Sequence, residues 1–447
     1  MSKEINTIFP TLAVQPPIAA RAEGVTITDT EGKEYLDFSS GVSVVGIGHG
    51  VKEVRDAVAA QMDQFSFVYR GMFASEPLLR VSKQIIDLAP EGMDRVFFCS
   101  GGSEASESAI KIARQYHLEC GNPTKYKIIS RWAGFHGNTL ATLSVGGRTS
   151  WRTPYDPYLL KMPKIPQCNC YHCPLKLEYP ACGCRCAHEL ERTIKAEGAD
   201  TVAAFMCETV VGAAGGTVIA PKEYFSIIRD ICDRYNILLI DDEVITGFGR
   251  TGRNFAIDHY GVVPDLIVTA KGMGSGYLPI GGVIIRKQIV DAIEKGSGSL
   301  IHSYTYAGHP VSCAAASAVI KYLTDNDLIN QVAIKGGVFL KKLKTLEELP
   351  IVGQVRGIGL MTGMSLVKDK ETGESFDPQY EVANQIQRRC FEKGLMLLAA
   401  TVGTEDGVKG DALMVSPPFV VTEEEMDRGI AILKEVIAQV SEELGVH

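Results

Sequence analysis

The stretch PDLIVTAKGMGSGYLPIGGV, residues 264–283, decides the fold. Its apolar run Leu266-Ile267-Val268 predicts a short buried strand. The run ends at Thr269-Ala270, Lys271 follows at once, and five glycines fall within the next eleven positions. A lysine at a strand end, in backbone nearly bare of side chains, can be desolvated, lose its proton and act as a nucleophile. The glycines read as space for a flat partner. A surface lysine whose aliphatic stem covers apolar neighbours would explain the same letters, so the other strand ends must decide.

Working outward, the same pattern recurs. DRVFFCS (94–100), KYKIIS (125–130), VAAFMCE (202–208), NILLID (236–241), DLIVTA (265–270) and GGVIIR (281–286) read as strands. GSEASESAIKIARQYH (102–117) and PKEYFSIIRDICDRY (221–235) read as helices. Apolar strands with little alternation, separated by helices, predict an α/β fold with a mainly parallel sheet covered on both faces. From about residue 310 the character changes towards a smaller α+β unit. The expected organisation is residues 1–55 as an N-terminal segment joining the small unit, 56–325 as the large unit, and 326–447 as the small unit. TEEEMDRGIAILKEVIAQVSEEL (422–444) reads as a docking helix capped by Thr422, with Ile430, Leu433, Val436 and Val440 facing the core.

In such sheets ligands sit beyond the carboxyl ends of the strands, and here those ends carry chemistry. Strand 94–99 runs into Ser100-Gly101-Gly102-Ser103, which opens a helix. Strand 202–207 ends at Glu208, strand 237–241 at Asp242-Glu243, and strand 265–270 at Lys271. Glycines at a helix N-terminus admit an anion, although an ordinary glycine turn capped by Ser103 fits the same residues. Asp242 could hold a cationic ring nitrogen. An anion cradle, a lysine nucleophile and an aspartate for a ring nitrogen together describe a site for pyridoxal 5′-phosphate.

Composition narrows the classes. A chain of 447 residues exceeds one simple core. The net charge of -8 gives no electrostatic reason to expect nucleic acid or an anionic membrane as partner. No apolar run approaches the roughly 18–20 residues that span a bilayer. MSKEINTIFPTLAVQPP, residues 1–17, lacks a signal-peptide apolar region, which predicts a cytoplasmic location.

DDEVITGFGRTG (241–252), followed by PDLIVTAKGMGSGYLPIGG (264–282), resembles the signature of the class III pyridoxal-phosphate-dependent aminotransferases, which have fold type I. DTEGKEYLDFSSGVSVVGIGHGVKEV (29–54), FCSGGSEASESAIKIAR (98–114), GFHG (134–137), SYTYAGHPVSCAAA (303–316) and VRGIGLM (355–361) match the same family in the same order. The resemblance implies that Lys271 attaches the cofactor as a Schiff base and shuttles a proton. It implies that Asp242 pairs with the ring nitrogen and that Phe135 and Val244 pack on opposite ring faces. Gly102 and Ser103 would hold the phosphate, and Glu208 would organise polar groups beside the ring oxygen. His136 would either orient its loop or take part in catalysis. Thr305 would reach the neighbouring subunit's phosphate, making the active unit a homodimer or a dimer of dimers. The implied reaction moves an amino group from a β- or ω-amino acid, an amine or a related donor to a 2-oxo acid such as pyruvate or 2-oxoglutarate. A racemase or epimerase on the same scaffold is the alternative. A third reading makes the cysteine-rich loop the active feature and the cofactor site vestigial.

Departures from the pattern bear on substrate. Relatives acting on 4-aminobutyrate or ornithine carry a glutamate gate where this chain places Ala213, and many have an arginine after the HG motif where it has Asn138. Where many ω-amine enzymes carry a mobile arginine, LMLLAATVGTEDGVKGDALMVSPPF (395–419) has none. A carboxylate prefers a bidentate guanidinium, and the remaining candidates are Arg70, Arg148, Arg152 and Arg253. A donor with a masked carboxylate, such as an amino-acyl thioester, would need no such partner. Arg356 and the SPPF turn (416–419) read as structural.

The segment CNCYHCPLKLEYPACGCRCAHE (168–189) holds six of the twelve cysteines. Its spacing approaches that of a zinc site, with Cys170, Cys173, Cys182 and Cys186 the best tetrad. Reduced thiols on a surface loop are the plainer expectation, and no metal is expected in the transamination site.

Overall fold

The computed structural model describes residues 6–9, 15–400, 403, 405 and 407–446. Seven strands build the large sheet: β1 Met93–Cys99, β2 Lys127–Arg131, β3 Lys164–Ile165, β4 Val202–Glu208, β5 Leu238–Asp242, β6 Leu266–Thr269 and β7 Gly281–Arg286. Their order is β1-β7-β6-β5-β4-β2-β3. The five strands from β6 to β3 run parallel, and β7 is antiparallel to both its neighbours. This is the mixed, mainly parallel α/β sheet that the apolar runs predict.

The absence of polar alternation has a packing cause. Leu238 and Ile240 of β5, Leu266 and Val268 of β6, and Val283 and Ile285 of β7 share a buried cluster with Ala109 and Ile112 of the helix Gly102–Glu119. Leu239, Ile267 and Ile284 point the other way, into a cluster with Phe225 and Ile228 of the helix Tyr224–Arg234. Both faces are dry, so successive residues must both be apolar. Burying each such side chain stabilises the fold by roughly 1.5–3 kcal/mol.

Strand boundaries shift by one or two residues. Asn236 takes a left-handed φ of 49°, so the turn after the preceding helix consumes it and β5 starts at Leu238. Asp242 is thereby the last strand residue rather than the first beyond it.

A second, four-stranded sheet joins Val352–Ile358, Met361–Leu366, Asp411–Val415 and Leu398–Ala399 in antiparallel pairs. Ala19–Glu23, Thr26–Asp29 and Glu34–Asp37 form a third sheet, closed by Leu395–Met396. The beginning of the chain is thus hydrogen-bonded to its last quarter. The helix Glu423–Glu443 opens on Thr422 in a reciprocal cap. Thr422 N donates to Glu425 Oε2 (2.8 Å), and Glu425 N donates to Thr422 Oγ1 (3.3 Å). Leu433, Val436 and Val440 are buried, and Ile430 packs beside them half-buried.

Two guanidiniums, one buried and one half-buried, tie the large sheet's surroundings to the second sheet. Arg250 Nη1 donates to Leu360 O (3.1 Å) and Pro417 O (2.6 Å), with the guanidinium 4.6 Å above the Phe419 ring. Arg356 donates to Thr217 O (2.7 Å), Gly216 O (2.6 Å) and Ser365 Oγ (2.8 Å), the structural use expected of it. No helix among the described residues is long and apolar enough to cross a membrane.

Candidate active site

Beyond the carboxyl ends of β4, β5 and β6 lies a cavity of about 340 Å³, walled in part by Glu208, Asp242 and Lys271. That volume falls in the range of small-molecule sites. Strand register explains the grouping. Asp242 sits opposite Glu208 across the β4–β5 ladder and opposite Val268 across β5–β6. Two carboxylates therefore leave adjacent strands on one face, and Lys271 follows two residues after β6 ends.

The Asp242 side chain is 4% exposed and both its oxygens are engaged. Oδ2 lies 2.7 Å from His136 Nδ1, and Oδ1 accepts from Val244 N at 3.1 Å. These partners satisfy the hydrogen-bonding capacity of a buried carboxylate. His136 contacts Asp242 directly, and its Nε2 is buried without a partner. Glu208 is less well served: Phe135 N donates to its Oε2 at a long 3.4 Å. Burial is the leading cause that pushes the Glu208 carboxyl up to about 7.

Lys271 adopts φ 28°, a strained value for a residue with a Cβ. Burial lowers its amine to about 8, against the opposing pull of Asp242 and Glu208. Its loop is pinned from the N-terminal segment, where Gly46 N and Ile47 N donate to Ser275 Oγ at 2.9 and 3.0 Å.

The expected cradle lies at the N-terminus of the 18-residue helix Gly102–Glu119. Ser103 Oγ accepts from Asn138 N at 3.2 Å, and Gly137 closes over it with φ 127°. A Cβ at Gly137 would stand 2.7 Å from that oxygen, so the third residue of the FHG motif must be glycine. Val244 packs against Gly102, where a Cβ would meet it at 3.1 Å.

The glycines after Lys271 have a different reason from the one expected. None of them walls the cavity. Gly281 and Gly282 lie in β7, where added Cβ atoms would stand 2.8 Å from Gly101 and 2.7 Å from Phe97 O. They let β7 close on β1 and so fix where the cradle sits.

Gly102, Ser103, Phe135, His136, Glu208, Asp242, Val244 and Lys271 thus come to one cavity. Thr305 does not; it stands exposed in a turn away from this wall. Ala213 and Ile245 line the cavity, so no carboxylate occupies the gate position. Of the four candidate arginines only Arg148 lines it. Arg70 donates to Ser303 at an exposed position, Arg152 lies beside Trp132, and Arg253 is exposed.

Two features in and beside the wall escape the sequence reading: Trp151 lines the cavity, and Arg131 lies next to Glu208, which does. Trp151 meets Phe135 edge-on, with ring centroids 5.6 Å apart. Arg131, the last residue of β2 and 1% exposed, donates to Glu208 O and to Cys168 Sγ, the latter at 3.1 Å. Extending strand 125–130 by one residue would have placed it beneath the site. The six cysteines of 168–186 ring a small hollow, but no three or more His, Cys, Asp or Glu among the described residues are arranged to hold a metal. The zinc tetrad suggested by the spacing is not assembled. Burial raises the Cys184 thiol to about 11 and that of Cys186 to about 12, which disfavours their thiolates, whereas Cys170 is exposed.

These residues fit pyridoxal phosphate: a helix N-terminus walled by obligatory glycine, an oriented carboxylate, a desolvated lysine, and a buried unpartnered imidazole nitrogen. Comparison with known proteins agrees. The class III aminotransferase family model matches residues 12–437. The chain is 36% identical over 438 residues to the uncharacterized aminotransferase YodT of Bacillus subtilis, covering 98% of each. It is 37% identical over 425 residues to the putrescine–pyruvate aminotransferase of Pseudomonas aeruginosa, covering 94% of this chain and 90% of that one. An amine transaminase from an uncultivated Pseudomonas species, solved with its cofactor bound, superposes with a TM-score of 0.92 at 34% identity, covering 98% of this chain and all of that one.

The chain belongs to the class III aminotransferases. It is a fold type I transaminase that depends on pyridoxal phosphate. The racemase reading finds no support in these relatives.

Proposed function

We propose that Lys271 carries the cofactor and serves as the proton carrier of the transamination. The observation that supports this most is the Asp242 carboxylate, fixed between His136 Nδ1 and Val244 N in the same cavity as the desolvated Lys271 amine. Pyridoxal phosphate supplies the electron-withdrawing ring that makes a proton on the amine-bearing carbon removable. Asp242 would face the ring nitrogen and keep it protonated, and His136 would hold Asp242 in place. Gly102, Ser103 and the helix N-terminus would take the phosphate. Phe135 and Val244 would bracket the ring, and Glu208 would stand beside its oxygen. Lys271 would take the proton of the amine-bearing carbon at Nζ and return it on the far side of the intervening nitrogen, two atoms along.

The donor we propose is a β- or ω-amino acid, an amine, or an amino acid masked as a thioester, and the acceptor is pyruvate or 2-oxoglutarate. Support comes from Asn138 and from the neutral Ala213 wall. The arginine-free stretch 395–419 adds to it, although Thr401, Val402, Thr404 and Asp406 lie outside the described residues. The Pseudomonas aeruginosa relative acts on putrescine. The test is to add donors to the purified holoenzyme without acceptor: β-alanine, 4-aminobutyrate, 3-aminobutyrate and its thioester, putrescine and glutamate. The expected result is loss of the visible cofactor band with an amine or a β- or ω-amino acid, and its return with a 2-oxo acid. A band bleached only by glutamate would overturn the donor assignment.

We further propose a homodimer, or a dimer of dimers built from it. Phe67, Tyr69, Met72, Phe73, Ile301 and Tyr306 are all large, apolar or aromatic, and exposed. The Phe67 and Tyr306 rings are 5.9 Å apart, so the two segments form one patch, and Thr305 lies within it. A patch of this kind marks an interface, and Thr305 would cross it to the neighbouring phosphate. Residues 1–55 are assigned to the small unit with 326–447, supported by the pairing of Glu34–Asp37 with Leu395–Met396. The twelve free cysteines suit a reducing cytoplasm.

A further inference from the structure

A 2-oxo acid acceptor brings at least one carboxylate into the cavity, and the usual arginines for it are missing. Among the described residues lining the wall, the cationic side chains are Lys271 and Arg148. Arg148 is held in place from several sides. Its backbone follows Gly147, which is tied to the Phe135 loop: Ala133 N donates to Gly147 O (3.2 Å), and Gly147 N donates to Gly134 O (2.8 Å). A Cβ at Gly147 would stand 2.2 Å from Arg131 O, so this backbone path has no slack. Trp151, one helical turn on, donates its N–H to Arg148 O (3.2 Å). The Trp151 ring lies 4.0 Å from the guanidinium carbon.

Among the described residues that guanidinium has no anionic partner. Its Nε is buried without a hydrogen bond, and burial alone draws the group down to about 10. Arg250, Arg356 and Arg229 instead direct guanidinium donors to oxygens: Arg250 and Arg356 to carbonyls, and Arg229 to Asp265 at 2.8 Å. A guanidinium held over an indole face by a cation–π contact still has N–H donors available for a planar, two-oxygen ligand.

We infer that Arg148, stacked on Trp151, is the carboxylate anchor of this enzyme: it binds the carboxylate of the 2-oxo acid acceptor and that of any amino-acid donor. The inference rests on the transaminase reading of the same cavity. It makes the two half-reactions unequal. A plain amine enters without using Arg148, whereas every acid must pair with it. One enzyme can then take an uncharged apolar donor and a charged acceptor in turn, with no gate to swing.

The test compares holoenzyme carrying Arg148→Gln or Arg148→Lys with the unaltered protein. Propionate, an unreactive carboxylate, serves as a direct probe through its competitive inhibition of bleaching by propylamine. Propylamine and β-alanine serve as matched donors that differ in the carboxylate. The expected result for Arg148→Gln is propionate binding weakened about 100-fold. The KM for pyruvate should rise by a similar factor, kcat should stay within about threefold, and the response to propylamine should not change. Arg148→Lys, which keeps charge but loses the fork, should fall between the two. Propionate that inhibits Arg148→Gln as well as it inhibits the unaltered enzyme overturns the assignment, and so does propionate that fails to inhibit the unaltered enzyme. Equal losses with propylamine and β-alanine overturn it too, since they mean general damage. If no donor bleaches the unaltered enzyme, the transaminase reading itself fails, which is a separate result.

Discussion

At the scale of single residues, the site works by giving neighbouring carboxylates different surroundings. Asp242 and Glu208 are paired residues on adjacent parallel strands. Asp242 receives two short contacts, whereas Glu208 receives one long one. Burial therefore pushes Glu208 up to about 7. A carboxyl raised on folding binds its proton more tightly in the folded state, so it adds stability below its ordinary value of 4.5, and that stability is lost as pH rises through about 7. Glu208→Gln removes the dependence. Urea unfolding of cofactor-free protein should show the variant gaining on the unaltered protein by on the order of 3 kcal/mol between pH 4.5 and pH 8. A stability difference that does not vary with pH would contradict this account of Glu208. Sequence makes the acids and Lys271 legible because each ends an apolar run. It hides the His136–Asp242 pair, whose members are 106 positions apart, and it hides Trp151, because nothing local says that a loop tryptophan will face a cavity.

At the scale of elements, the sheet is legible for a physical reason. Strands buried on both faces carry unbroken apolar letters, and each of the six runs read as strands falls on a strand of the sheet. β3, two residues long, is too short to leave such a run. Boundaries are harder. Asn236 adopts a left-handed turn that no apolar count detects, and that shifts β5 so that Asp242 becomes its last residue. The glycines after Lys271 are the instructive misreading. They suggest room for a ligand, yet Gly281 and Gly282 make room for backbone. Composition shows that space is needed, and only packing shows what fills it. The Thr422 cap needs no packing, since Thr422 and Glu425 are three residues apart and the cap is written locally.

At the scale of the molecule, distant segments pair and an apolar surface stays uncovered. The N-terminal strands reach Leu395–Met396, a pairing no local pattern discloses. The exposed patch of Phe67, Tyr69, Met72, Phe73, Ile301 and Tyr306 predicts assembly. Light scattering should give at least twice the chain mass of 48.4 kDa. Tyr306→Glu should lower that mass and weaken retention of the cofactor together, because the phosphate would lose Thr305 from the partner subunit. A fully active monomer would contradict the shared-site proposal.

The measurement that bears most directly on the central claim is borohydride reduction of the holoenzyme, followed by proteolysis and peptide mass analysis. Reduction fixes the cofactor to whichever lysine holds it. Lys164 is a fair competitor, since burial lowers it to about 7, below Lys271. What separates them is the cavity, which Lys271 lines and Lys164 does not. The account predicts the added mass on the peptide containing Lys271 and on no other. Label on Lys164, or on no lysine at all, would contradict it.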